Sequence, residues 1–146
     1  MVSEGIKDAL KKSGIVPKNI LPGSLWTVRD KLIVFPEDRL PSAKKTSHEF
    51  RTIVVLSRLE DCEDPTRIYV LMAPLSSNTR IKAKTDYLIP KGNGNLRDDS
   101  MVRLGLVQPI LKTELEKEIG LLPESILEDL KAMISVIFGL IECSEE

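Results

Sequence analysis

The chain is short of aromatic side chains, has one histidine and two cysteines, and contains no long apolar run. Each shortage removes a class of function. Three Phe, two Tyr and one Trp are too few for a row of stacking platforms, so single-strand recognition by serial base stacking lacks its raw material. Cys62 and Cys143 stand far apart, without C-x-x-C spacing, and His48 is alone. That pattern argues against a zinc site or a disulfide framework, and no metal or cofactor is expected. No stretch is long and apolar enough for a membrane span, and the N-terminal residues lack the apolar run of an export signal. A cytoplasmic location without a membrane partner is the expectation.

What is present is a chain of 146 residues, 42% hydrophobic and 29% charged, which suits one globular domain with an aliphatic core. The net charge of −1 conceals an asymmetry: residues 1–58 carry eleven Lys/Arg against six Asp/Glu, and residues 113–146 carry two against nine. A basic body of this kind draws a polyanion, while the acidic C-terminal faces suit solvent or a basic partner.

Two segments dominate the pattern. Phe50 to Ser57 and Tyr69 to Ser77 each read as a buried strand of largely β-branched residues with polar groups at its ends. The strands can be neighbours in a small barrel, an arrangement that needs the Arg58 to Arg67 stretch to be a connecting loop. Arg51 and the hydroxyls of Ser76 and Ser77 then meet at one rim, a combination suited to a phosphodiester.

Around these strands, Ser3 caps a short helix with Ile6, Ala9 and Leu10 on one face, closed by Gly14 and Pro17. Residues 1–21 thus read as a helical extension and 22–146 as the main domain. Ser24 to Val28 reads as a strand, and Lys31 to Phe35 as a second short strand stopped by Pro36. The polar, basic stretch from Glu37 to Glu49 reads as a loop. Thr85 to Ile89 reads as a strand ended by Pro90, and the alternating Gly and Asn of Lys91 to Asn95 allow positive φ for a hairpin or a close approach to a ligand. Further strands are expected over Ser100–Val107 and Gln108–Leu111. Thr113-Glu114-Leu115-Glu116 matches a capping box opening a short helix that stops at Gly120. A last helix opens at Pro123 and runs to about Leu140 with a broad apolar face.

From Pro22 to Leu140 the chain resembles the MazF/PemK (Kid-like) family of toxin endoribonucleases. Pro22-Gly23-Ser24-Leu25-Trp26-Thr27-Val28 is similar to that family's opening strand, and Arg51-Thr52-Ile53-Val54-Val55-Leu56-Ser57 to its Arg-Pro-x-Val-Val-Leu-Ser strand. Pro74-Leu75-Ser76-Ser77 is similar to its Pro-(Leu/Ile)-Thr-Ser, and Asp99 to Leu104 and Leu111 to Leu115 resemble its closing strands and helices. Thr52 replaces the family's proline, the segment between Trp26 and Arg51 is longer than usual, and the N-terminal helix has no counterpart.

The resemblance implies a mainly β fold with helices, namely a small SH3-like or CcdB-like β-barrel with a C-terminal helix and here an added N-terminal one. It further implies a homodimer that cleaves single-stranded RNA without a metal and is restrained by an antitoxin protein. On that reading Arg51 and Ser76 stabilise the transition state, and Glu49 or His48 accepts the 2′-hydroxyl proton. Ser77, Lys44, Lys45, Arg80, Lys82 and Lys84 then contact RNA. A second reading keeps the fold without catalysis, as an inactive MazF/CcdB-like module that binds RNA or a protein partner.

Overall fold

The computed structural model describes residues 18–41 and 48–142. The helix expected over the N-terminal extension therefore lies outside the described residues, as do Lys44 and Lys45. Seven strands form one antiparallel sheet: β1 (Ser24–Arg29), β2 (Phe50–Val55), β3 (Tyr69–Ser76), β4 (Asp86–Ile89), β5 (Ser100–Arg103), β6 (Gln108–Leu111) and β7 (Lys117–Leu121). Their order is β4-β5-β3-β2-β1-β7, with β6 pairing the first half of β3. Strands β4 and β7 at the two ends do not pair with each other, so the sheet is open where a closed barrel was expected. Two helices complete the described fold, α1 (Leu59–Glu63) between β2 and β3, and α2 (Glu124–Ile137) after β7.

The period-2 alternation of the strands divides their side chains between two cores. Trp26, Val28, Ile53, Val55, Val70 and Met72 line one face, covered by Ile20, Ile33, Cys62, Ile110 and Leu115 from the connections. Burial pushes the Cys62 thiol up to about 11. Leu25, Val54, Ala73 and Leu75 line the other face, closed by Ile89, Val102, Leu104, Leu122 and by Leu130 of α2. Tyr87 of β4 donates to Asp129 of α2 at 2.7 Å, tying helix to sheet. Among the described residues no helix is long and apolar enough to cross a membrane.

Two local expectations give way to tertiary contacts. Lys31 to Phe35 is not a strand: Asp30–Leu32 forms a 3-10 turn, and a second turn follows over Pro36–Arg39. The pairing of β1 with β2 ends at Arg29 opposite Phe50, and the Asp30 N–H closes it on the Glu49 carbonyl. The next backbone groups find a side chain instead of a strand, because the Gln108 amide accepts from the Val34 N–H at 2.8 Å and donates to its carbonyl at 3.1 Å. Those bonds satisfy the polar backbone that an edge strand would leave open.

The helix expected from Thr113 is likewise one short turn, Lys112–Glu114, followed by β7. Glu114 does reach back, but its carboxylate accepts from the Leu111 N–H at 2.9 Å. The Lys18 ammonium donates to the carbonyls of Lys112, Thr113 and Leu115, which takes up the acceptors a continuing helix would use. Beyond them the Glu116 N–H bonds the Thr27 carbonyl at 2.9 Å, and the chain is captured on the edge of β1.

The Gly-Asn run makes a hairpin loop between β4 and β5 and also a close approach. Gly92, Gly94 and Asn95 all have positive φ, and the Asn95 amide donates to the Ile119 carbonyl at 3.0 Å. A Cβ on Gly120 would meet the Gly94 carbonyl oxygen at 2.3 Å. Gly120→Ala is therefore expected to force the loop off β7 and to lower stability by about 1–3 kcal/mol. A urea midpoint equal to that of the parent protein would show that the loop yields without cost.

Candidate active site

Strands β2 and β3 pair antiparallel with Ile53 opposite Pro74. Ile53–Pro74 is the last pair of that ladder; Arg51 lies two residues before it on β2, and Ser76 lies two after it on β3, where β3 pairs with Met101 of β5. The Arg51 Nη1 donates to the Leu75 carbonyl at 3.2 Å, one residue from Ser76. Ser76 Oγ accepts the Asn78 N–H at 3.2 Å, so its own proton is available to donate. The guanidinium thus reaches the backbone of β3 beside Ser76, with no bond to the Ser76 hydroxyl itself.

Arg51 is held on three sides. Its Nε donates to Asp30 Oδ1 at 2.6 Å, with the two side chains 17% and 14% exposed. Its guanidinium lies 4.8 Å from the centre of the Phe35 ring, and its third contact is the Leu75 carbonyl. Phe35 also carries Arg103 at 5.7 Å, and Arg103 bonds Glu37. That bond holds the Glu37 carboxyl below its ordinary range. Two arginines therefore bracket one aromatic ring, and the 30–37 segment is fastened across the sheet by Glu37 and Gln108.

A cleft of about 560 Å³ opens beside this cluster, bordered by His48, Arg51, Leu75 and Ser77 and by the loop after β4 through Asn95, Leu96, Arg97 and Asp98. Its sheet wall comes from Phe50, Thr52, Thr27, Lys117 and Glu118. Thr27 and Thr52 are partners in register on neighbouring strands. Arg29 lies over the Phe50 ring at 4.8 Å and is itself paired with Glu49 and Glu116. The lining combines cations, hydroxyls, amides and one exposed aromatic, donors that suit phosphates and the polar edges of bases.

Of the residues singled out from the sequence, Arg51, Ser77 and His48 border the cleft, whereas Ser76, at the end of β3, is not part of its lining. The Glu49 carboxylate sits 3.3 Å from Arg29 and is largely exposed. Arg80, Lys82 and Lys84 lie exposed on the loop between β3 and β4 and do not border the cleft. Asp30, Phe35, Arg97, Lys117 and the Thr27–Thr52 pair escaped the sequence reading. Asp30 fell between two expected strands and Phe35 at the end of the second, where nothing marked them as neighbours of Arg51. The Gly-Asn run was readable as a hairpin, but its packing against β7, which brings Asn95 and Arg97 to the cleft, was not.

A sequence model described as PemK-like, MazF-like toxin of type II toxin-antitoxin system matches residues 38–138, the span that holds Arg51, Ser76 and most of the cleft. The chain belongs to this family. Among solved structures it is similar to the Mycobacterium tuberculosis toxin MazF-mt6, with 21% identity over 80% of this chain and 96% of that one, at a TM-score of 0.59. An endoribonuclease in complex with its cognate antitoxin from Mycobacterial species matches at 11% identity over 86% of this chain and 100% of that one, TM-score 0.60. A structure described as an Mtb toxin matches at 27% identity over 58% of this chain and 89% of that one, TM-score 0.51. At 21% and 11% identity the first two likenesses are of fold alone, and that PemK/MazF fold is an antiparallel sheet with a C-terminal helix. No match is found among curated proteins.

Proposed function

We propose that this PemK/MazF-family protein is a metal-independent endoribonuclease acting on single-stranded RNA, restrained by an antitoxin and working as a cytoplasmic homodimer. The supporting observation is Arg51, held by Asp30 and the Leu75 carbonyl, at the border of a polar cleft. In the reaction the ribose 2′-oxygen attacks its own phosphorus, the bond to the 5′-oxygen breaks, and a 2′,3′-cyclic phosphate remains. One proton leaves the 2′-hydroxyl and one must reach the departing 5′-oxygen.

Arg51 supplies fixed, permanently charged donors for the developing charge on the phosphoryl oxygens. Ser76 donates its free proton to a nonbridging oxygen. For the base, His48 borders the cleft while the Glu49 carboxylate is engaged by Arg29, which favours His48. Ser77, Arg97 and Lys117 bind the flanking RNA along the cleft, with the exposed Arg80, Lys82 and Lys84 contributing at longer range. The antitoxin is proposed from family membership and from the neighbouring endoribonuclease that was solved with its own.

A second reading has one observation in its favour: an arginine bonded to a carboxylate and a carbonyl also serves as a strand tie, as it would in a module that binds without cleaving. Purified protein incubated with an unstructured RNA in EDTA separates the two. Fragments ending in a 2′,3′-cyclic phosphate, with 5′-hydroxyl partners, are the expected result. Binding that weakens with salt while the RNA stays intact would favour the binding module.

A further inference from the structure

We propose that Asp30 is a positioning residue for Arg51, and that the segment from Asp30 to Glu37 is the brace that sets the direction of its guanidinium. This rests on the catalytic reading given above. Of the N–H groups a guanidinium carries, Nε is taken by Asp30 and one Nη1 proton by the Leu75 carbonyl. Among the described residues no partner takes the Nη2 protons. The free donors are therefore the terminal ones, on a residue that borders the cleft.

Asp30 can act this way because its own position is fixed twice. Its N–H closes the β1–β2 ladder on the Glu49 carbonyl, and its carbonyl accepts from the Ile33 N–H in the 3-10 turn. Ile33 is buried, so the turn cannot swing away without opening the core. Phe35 then supports the flat face of the guanidinium, while Gln108 and Arg103 anchor the residues on either side of it. Desolvation offsets most of the attraction in a partly buried ion pair of this kind, so its net stabilisation is small. What the pair delivers is direction: it prevents the long side chain from sampling rotamers in which its donors miss the phosphate.

The test uses full-length protein, one unstructured RNA and the 2′-deoxy analogue of that RNA, which lacks the attacking hydroxyl. Asp30→Asn is expected to lower the single-turnover cleavage rate roughly 10- to 100-fold while binding of the analogue stays unchanged. Asp30→Glu should recover part of the rate, because it restores a carboxylate to Nε. In an Arg51→Lys background, where no Nε is present, Asp30→Asn should cost nothing further. An Asp30→Asn protein that cleaves at the parental rate, beside an inactive Arg51→Ala protein, would overturn the positioning role and leave the catalytic reading standing. Equal loss of rate and of analogue binding in Asp30→Asn and Asp30→Glu would also overturn it, because that pattern marks general damage to the site. If Arg51→Ala itself cleaves normally, the catalytic reading is what fails.

Discussion

Arg51→Ala should reduce RNA cleavage by roughly 10²–10³-fold, the loss typical of removing one donor from a transition-state anion site, while the chain remains folded. Charge develops on the phosphoryl oxygens as the 2′-oxygen attacks, and Arg51 is a fixed cation at the border of the cleft. Truncation leaves Asp30, with a side chain only 14% exposed, without its partner. A cost of about 1–3 kcal/mol follows from that unmade bond, visible as a melting point several degrees lower. Arg51→Lys separates charge from geometry: it keeps a cation but presents no planar fork, and should recover little of the activity. Far-UV circular dichroism establishes that each variant is folded before rates are compared. Cleavage by Arg51→Ala at the parental rate would remove the proposed mechanism.

The largest expected effect on stability is at Leu130. This side chain is fully buried at the centre of the α2 contact, with Leu127 beside it and Ile126, Met133, Ile134 and Ile137 packed around the same core. It belongs to the same buried cluster as Leu25, Val54 and Ala73 from three central strands, a close-packed interior that relaxes only partly when a side chain is truncated. Leu130→Ala should cost about 2–5 kcal/mol, a large share of the roughly 5–15 kcal/mol that holds such a domain together. Phe138 lies one residue beyond the helix and is 69% exposed. Phe138→Ala should therefore change stability by less than about 0.5 kcal/mol. Urea unfolding of both variants checks the contrast, and equal midpoints would mean that α2 does not pack on the sheet as described.

The strands that build the site were legible because their signal is strong and local. Phe50 to Val55 and Tyr69 to Ser76 are dense in β-branched and other apolar residues and bounded by polar ends, and they pair as that pattern suggests. The α2 stripe was equally clear, since a 3.6-residue period carries over four turns. The failures share one cause. Lys31 to Phe35 and Thr113 to Gly120 are short segments whose local preference amounts to a few tenths of a kcal/mol per residue, and a handful of distant hydrogen bonds outweighs it. Gln108 claims Val34 from far along the chain, and Lys18 with Thr27 claims the residues around Leu115.

The same division runs through the candidate site. Arg51, Ser76, Ser77 and His48 could be picked out because each stands in or beside a strand whose ends were readable. Asp30, Phe35 and the loop residues Asn95 and Arg97 could not, because their proximity to Arg51 and the cleft depends on how connections fold back over the sheet. Residue order and periodicity by themselves determined the central strands, the final helix and the chemical type of the groups at the strand ends. Tertiary structure alone decided the open sheet, the brace beneath Arg51 and the walls of the cleft. Local propensity acts over a few neighbouring residues, whereas those features are contacts between segments twenty to ninety residues apart, for which a linear pattern holds no distance.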